Sequence, residues 1–155
     1  MTKGSLKKLM LAALVCAISS PTAFSQDLPL KIEIATTQAI VKNSVEFAVN
    51  TRIKNVGKEE QRIHLSQCSY SSLQWTTDNT SVHVKQIPCK KNTLSDIRLK
   101  PGEAYERALP VHIDVPILGL PQRITFRLGF IPWDSAGLGG STSIWSNAVT
   151  LDIRK

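Results

Sequence analysis

Two-residue alternation is clearest in the stretch Arg123-Ile-Thr-Phe-Arg-Leu-Gly-Phe130. Its apolar positions are Ile124, Phe126, Leu128 and Phe130, and polar or small residues stand between them. Because successive side chains of a β-strand point to opposite faces, this order predicts a strand with one face in a hydrophobic core and the other in water.

The same alternation recurs along most of the chain. It is found at 30–34, 45–53, 63–65, 82–84, 97–99, 105–113 and 145–153. Turn signals separate several of these runs, most clearly Asn55-Val-Gly57 and Lys100-Pro-Gly-Glu103. Short strands without helical periodicity predict an all-β protein, an antiparallel β-sandwich of about 7–9 strands. Uneven connections, including 114–121 and 132–143, favour the sandwich over a closed barrel.

Residues 1–25 have the order of a secretory signal peptide. Three lysines precede the apolar run 9–18, and small residues stand before a cleavage site ahead of Gln26. The apolar run is too short for a membrane anchor. We therefore expect a mature domain of residues 26–155 that is secreted or periplasmic.

Composition and charge fit one globular domain. The 155 residues are 42% hydrophobic and 20% charged, which excludes collagen-like and low-complexity chains. The 19 basic and 12 acidic residues give a net charge of +7, and removing the three leader lysines leaves +4. So small a charge predicts no nucleic-acid partner, and we expect no membrane span in the mature chain.

The cysteines fit an oxidising compartment. Cys16 lies in the apolar run and leaves with the leader, the alternative being a lipoprotein with an acylated Cys16. Cys68 and Cys89 then remain as an even pair, which predicts a disulfide. A metal or redox pair is the weaker interpretation, because no C-x-x-C occurs and no histidine stands at ligand spacing.

The order of turns and core motifs resembles bacterial secreted immunoglobulin-like domains. The motifs, spread over 45–153, are Ile53-Lys-Asn-Val-Gly57, Ile97-Arg-Leu-Lys-Pro-Gly-Glu103, Phe126-Arg-Leu-Gly-Phe130 and Trp145-Ser-Asn-Ala-Val-Thr-Leu151. The chain is similar to adhesion-type and intracellular-proteinase-inhibitor-type sandwiches. The resemblance implies an immunoglobulin-like β-sandwich for 26–155 but no site residues, because such motifs specify fold rather than activity. The chain departs from antibody domains, because Cys68 and Cys89 are not an inter-sheet pair that joins strands B and F around a tryptophan of strand C.

Residues for catalysis or metal binding do not form a recognisable pattern. His64, His83 and His112 all alternate with apolar residues and are expected to point outward. The sequence contains no G-x-S-x-G, no H-x-H and no H-E-x-x-H. We therefore expect no enzyme activity, no metal and no cofactor.

A basic stripe is the first candidate binding surface. An immunoglobulin-like assignment places 60–66, 123–131 and 145–153 side by side in one sheet. Their outward residues include Arg62, Arg123 and Arg127. Arginine can bind carboxylate or phosphate groups through two hydrogen bonds, so these three are candidate binding residues. The alternative is that they keep the sheet soluble.

The loop 132–143 is the second candidate. It carries Trp133 among several glycines, at a position where sandwich domains often have recognition loops. The alternative is that Trp133 folds back and caps the core. The alternating pattern assigns the other two tryptophans, Trp75 and Trp145, to the core.

These features predict an exported, monomeric, non-catalytic binding or accessory module of the cell envelope. Its partner would be a protein or a glycan. A secreted proteinase inhibitor is the alternative that the family resemblance suggests, and an enzyme of unknown class is a third.

Overall fold

The computed structural model describes residues 28–36, 40–42, 46–86, 88, 93–114, 122–134, 137, 139–140 and 142–154; for 40–42, 68–70, 122 and 154 it describes the backbone alone. The elements are β1 (Leu30–Thr36), β2 (Ile40–Lys42), β3 (Glu46–Asn55), β4 (Gln61–Ser66), the 3-10 helix η1 (Cys68–Gln74), β5 (Trp75–Thr77), β6 (Val82–Val84), β7 (Leu94–Leu99), β8 (Ala104–Ile113), β9 (Gln122–Phe126), β10 (Leu128–Phe130), β11 (Ile144–Trp145) and β12 (Val149–Arg154). The predicted leader, 1–25, and Cys89 lie outside the described residues, as does the side chain of Cys68.

The strands form one large and three smaller sheets. The largest has the order β1-β3-β8-β6, and the others are β11-β10-β5, β2-β12-β9 and β4-β7. Among the named strand pairs in the described part, β12 and β2 run parallel and the rest run antiparallel. The prediction of an all-β protein with antiparallel sheets is confirmed, with this parallel pair as an addition. Within the described ranges, no helix is long and apolar enough to cross a membrane.

One hydrophobic core lies between the sheets, and alternation decides which residues enter it. Along β3, for example, Phe47, Val49 and Ile53 are buried while their neighbours in sequence are exposed or half-buried. The core residues of β9 and β10 are those predicted by alternation, namely Ile124, Phe126, Leu128 and Phe130. Ring contacts cross the core, with Phe47 6.2 Å from Phe126 and Trp75 5.1 Å from Phe130, measured between centroids.

The predicted number of strands is wrong, because two alternating runs are divided between sheets and the short strands β2 and β5 lie outside the predicted runs. The run 123–130 breaks at Arg127, whose backbone N–H donates to the Asp78 carboxylate over 2.7 Å instead of entering a ladder. Before this break β9 pairs with β12, and after it β10 pairs with β5 and β11. The run 145–153 also breaks, at 146–148, which separates β11 from β12. The described residues thus contain twelve strand segments instead of about 7–9.

Two side-chain amides, the exposed Asn147 and the buried Gln74, complete the backbone pairing of neighbouring strands. Asn147 accepts a hydrogen bond from the Ile34 N–H over 2.8 Å and donates one to the Ile34 carbonyl over 3.0 Å. Gln74 forms the same two kinds of hydrogen bond with β4. It accepts one from the Ser66 N–H over 2.6 Å and donates one to the His64 carbonyl over 2.8 Å. A side-chain amide presents the same donor and acceptor as a peptide, so each extends a sheet edge by one pairing.

Candidate binding face around Trp145

The three candidate arginines lie on different parts of the fold. Arg62 lies on β4, which pairs with β7. Arg123 lies on β9, which pairs with β12, and Arg127 stands at the break between β9 and β10. Arg62 and Arg123 therefore lie in separate sheets, and Arg127 lies outside the strands.

Each of these arginines already has a carboxylate partner. Arg62 forms a two-pronged pair with Asp96, at 2.6 Å from Nε to Oδ1 and 2.5 Å from Nη2 to Oδ2. This pair lowers the pKa of Asp96, first through the hydrogen bond from the guanidinium. Arg123 contacts Asp152 over 3.0 Å. Because the partner carboxylates offset the arginine charges, these residues do not make an unbalanced basic stripe; their role in binding stays a prediction.

The burial of Trp133 is intermediate between the two predicted alternatives, an exposed residue of a recognition loop and a buried cap on the core. Its side chain is half-buried, and its backbone forms single β-bridges with His64 of β4 and with Gly139. The indole lies against Gly139, where an added Cβ would come 3.1 Å from Nε1. The described part of the loop 132–143 is therefore folded back toward β4, with Trp133 neither fully buried nor fully exposed.

Trp145 is exposed, so its predicted place in the core is wrong. Its relative exposure is 41%, whereas Trp75 is buried as predicted. In the register of β10 and β11, Trp145 stands opposite Gly129 and Ile144 opposite the fully buried Phe130. The break at 146–148 separates Trp145 from the alternation of β12, so Trp145 takes the outward face.

The indole of Trp145 lies across Gly129. A Cβ added to Gly129 would come 3.2 Å from Cε3 of Trp145 and 2.8 Å from Cγ2 of Thr76, which stands opposite on β5. A side chain at position 129 would push the ring away from the sheet. Glycine here lets the ring lie close to the backbone, forming a row of Thr76, Gly129 and Trp145 on the outer face.

Arg127 links this ring to a carboxylate. Its guanidinium carbon lies 5.4 Å from the Trp145 ring centroid, and its Nε donates to Asp78 Oδ2 over 2.8 Å. A cation above an indole is attracted by the negative face of the ring. The chain Asp78–Arg127–Trp145 thus holds an exposed aromatic ring beside a fixed ion pair. We call these three residues, with Thr76 and Gly129, the Trp145 face.

The ion pair keeps Asp78 ionised. Burial favours the neutral form, but hydrogen bonds from the guanidinium and backbone N–H of Arg127 outweigh it and lower the pKa of Asp78. A carboxylate with a lowered pKa in the folded state stabilises the fold above its unfolded pKa. That contribution is lost as the pH falls through the folded pKa.

We expect Arg127→Gln to raise the pKa of Asp78 toward the ordinary aspartate value. The variant loses the guanidinium hydrogen bond and its charge, which favour the carboxylate. Carboxyl NMR titration of the two proteins measures this shift. Arg123→Gln is the matched control, since Arg123 pairs with Asp152 instead. An Asp78 titration that is the same in wild type and Arg127→Gln would contradict the assigned cause.

Hydroxyl and amide groups adjoin the Trp145 face. Asn79 donates to the Thr125 carbonyl over 3.1 Å, and the hydroxyls of Thr125 and Thr150 lie 2.8 Å apart on the outer side of β9 and β12. A shallow depression of about 520 Å³ is lined by Thr76, Asn79 and neighbouring residues of β5 and β6. The arrangement offers one exposed aromatic ring with the Arg127 guanidinium over it, and hydroxyl and amide groups near Asp78 and Thr76 that can donate or accept hydrogen bonds.

Within the described ranges, no three histidine, cysteine, aspartate or glutamate residues form a group that could hold a metal ion as they stand.

Sequence reasoning missed Trp145 because the alternation at 145–153 appears continuous. The available signal was Ser146-Asn147, two turn-forming residues inside the apparent strand.

Comparison with known proteins adds no family. No family model matches the chain, and no curated protein matches it. A solved structure with partial similarity is the Pseudomonas fluorescens alkylpurine DNA glycosylase AlkC bound to DNA containing an abasic site analog. The match has 11% identity and a TM-score of 0.41, and covers 82% of this chain but 31% of the glycosylase. A match this weak carries no argument about fold or activity.

Proposed function

We propose that the mature chain is an exported, non-catalytic immunoglobulin-like module that binds a protein or glycan of the cell envelope. The sheet order β1-β3-β8-β6 supports the fold assignment. It is similar to the A-B-E-D order of immunoglobulin sheets if β1, β3, β8 and β6 are counted as strands A, B, E and D. The pair of β4 and β7 departs from that plan, because β7 follows β6 in the chain and so cannot be a strand C′ that precedes D. The pairing of β9 with β12 corresponds to strands F and G.

The exposed indole of Trp145 is the observation that carries the binding role. Most large apolar side chains of the described residues are buried, and Trp145 is one of the few at or above 41% exposure. Tryptophan and arginine are enriched among the residues that dominate binding energy at interfaces. The Trp145 face has both, in contact, with the arginine held in place by Asp78.

The chemistry of this face suits a partner with a flat apolar surface and polar edges. The indole supplies contact area at a low entropy cost, because its position is held by the close approach of Gly129 and by the guanidinium of Arg127 over its ring. Arg127 and Asp78 keep further hydrogen-bonding capacity beyond their mutual contact. Sugar rings and peptide segments of the envelope both have this character.

Photo-crosslinking in cells of the source organism tests the proposal. A photoreactive amino acid replaces Thr80, which is exposed at the rim of the depression next to the Trp145 face. We expect one discrete adduct with an envelope protein, and its loss on Trp145→Leu. Leucine keeps Gly129 covered but removes the flat ring, so the fold should persist. The same photoreactive residue at exposed Val56, in the turn after β3, is the matched control.

A glycan partner is tested in parallel by titrating the purified protein with soluble envelope polysaccharide and following tryptophan fluorescence. A fluorescence change that is abolished by Trp145→Leu supports the glycan. If neither an adduct nor a fluorescence change depends on Trp145, the proposal fails.

Export and the disulfide are the remaining parts of the proposal. They rest on the leader-like order of 1–25 and on the pair Cys68 and Cys89. The proposal requires that the exported protein has the mass of residues 26–155 less two hydrogens. A lipid on Cys16, or two free thiols after denaturation, would contradict it.

A further inference from the structure

Two histidines meet on the outer face of the four-stranded sheet. His83 of β6 stands directly opposite His112 of β8. The flanking hydrogen bonds, from Asp114 N–H to the Ser81 carbonyl and from Lys85 N–H to the Pro110 carbonyl, show which type of pair this is. Counting alternate positions, His83 and His112 are a hydrogen-bonded antiparallel pair, with Cα atoms about 5.5 Å apart.

One carboxylate joins the two imidazoles. Asp114 Oδ2 lies 3.0 Å from His83 Nε2, and Asp114 Oδ1 lies 3.1 Å from His112 Nε2. The two ring nitrogens lie on different oxygens of one carboxylate, so the three side chains do not form a metal-binding group as they stand and must rotate to converge on one ion. His83 and Asp114 are exposed and His112 is half-buried, so all three side chains can adjust by rotation.

The surrounding charge is balanced apart from this carboxylate. Glu46 stands opposite His112 on β3 and is paired with Lys85 over 2.5 Å. That lysine lowers the pKa of Glu46, chiefly through its hydrogen bond. The negative charge of Asp114 thus faces only the two imidazoles among these groups, and an added cation would lie beside it.

We propose that His83 and His112 together bind one divalent transition-metal ion of the zinc or copper class, with Asp114 as the third ligand. Imidazole nitrogen is a preferred ligand for these ions, and a carboxylate oxygen is common beside it. The ion takes the place of the two imidazole–carboxylate hydrogen bonds. Each ring proton moves from Nε2 to Nδ1, and water completes the coordination.

This site is distinct from the Trp145 face and from the proposed function. The sequence does not reveal it, because the two histidines lie far apart in the chain and have no metal-ligand spacing. The pairing of β6 with β8 brings them together.

Zinc titration of the exported protein, made without a histidine tag, tests the inference by calorimetry. We expect one Zn²⁺ per chain. His83→Ala and His112→Ala should each weaken binding at least about tenfold, because loss of even an outer partner of a metal ligand commonly costs that much. His64→Ala is the matched control. His64 also has an aspartate opposite it, Asp96 in the pair of β4 and β7, but no second histidine stands opposite it there.

A second readout is independent of the variants. In the wild-type protein, the NMR signals of the His83 and His112 rings should shift together on addition of Zn²⁺, while those of His64 stay unchanged. Absence of binding, equal loss in all three histidine variants, or ring shifts confined to His64 would each overturn the site. Trp145→Leu should bind Zn²⁺ like the wild type, which separates this result from the test of function.

Discussion

Replacing Asn55 by alanine should lower the free energy of unfolding by about 3 kcal/mol, because three backbone groups in buried or partly buried hydrogen bonds lose their partner. Asn55 is fully buried at the end of β3. Its Nδ2 donates to the carbonyls of Leu99 over 2.8 Å and Glu59 over 2.7 Å, and its Oδ1 accepts from the Gly57 N–H over 2.8 Å. One amide thus ties the turn after β3 to the end of β7.

Asn50→Ala is the control for this prediction. Asn50 lies on the same strand and is exposed, so its loss should change stability by no more than about 0.5 kcal/mol. Urea unfolding of the two variants and the wild type measures the difference. Equal destabilisation by both substitutions would show that the Asn55 amide does not hold these segments together.

Phe130→Ala should cost about 4 kcal/mol of stability, within the usual 3–5 kcal/mol range for removing a buried phenylalanine. Phe130 is fully buried, and its ring centroid lies 5.1 Å from that of Trp75. The residue also belongs to β10, the middle strand between β5 and β11. Its removal leaves a cavity at the point where these three strands join the core.

Leu73→Ala is the matched apolar control. Leu73 lies in η1 with 59% of its surface exposed, so the same kind of truncation removes few contacts there. Thermal unfolding should separate the two variants clearly. A melting temperature for Phe130→Ala that is as high as that of Leu73→Ala would place Phe130 outside the cooperative core.

Local patterns predicted the composition of the core well. Alternation identified the buried residues of β9 and β10 and the burial of Trp75, because within a strand the side-chain direction is set by position alone. Turn chemistry also held, since Gly102 in the predicted turn has a positive φ of 82°. In the left-handed region a glycine avoids the strain that a Cβ introduces.

Alternation failed where a run changed sheets. It continued through Arg127 and through 146–148, although the strand breaks at both places. At Arg127 the break depends on Asp78, a residue remote in sequence whose carboxylate accepts a hydrogen bond from the backbone N–H of Arg127. At 146–148 it reverses the face of Trp145, which turned a predicted core residue into the centre of the candidate binding face.

The candidate sites show the same division. The sequence indicated that Arg62, Arg123 and Arg127 point outward, but their carboxylate partners lie on other strands or turns. It also indicated that His83 and His112 face water, without indicating that they face each other. Which residue becomes the partner of another depends on the register between two strands. The sequence of one strand alone does not determine that register.

The amino-acid sequence by itself determined the all-β class, the turns and the inward face of most strands. These follow from side-chain period, glycine and proline chemistry and hydrophobic burial, which act over a few neighbouring residues. The tertiary structure alone decided where the strands break, which carboxylate each arginine meets, that Trp145 lies outside, and that two histidines share Asp114. Those outcomes depend on contacts between residues far apart in the chain, because pairing energy is realised only when the sheets assemble around their common core.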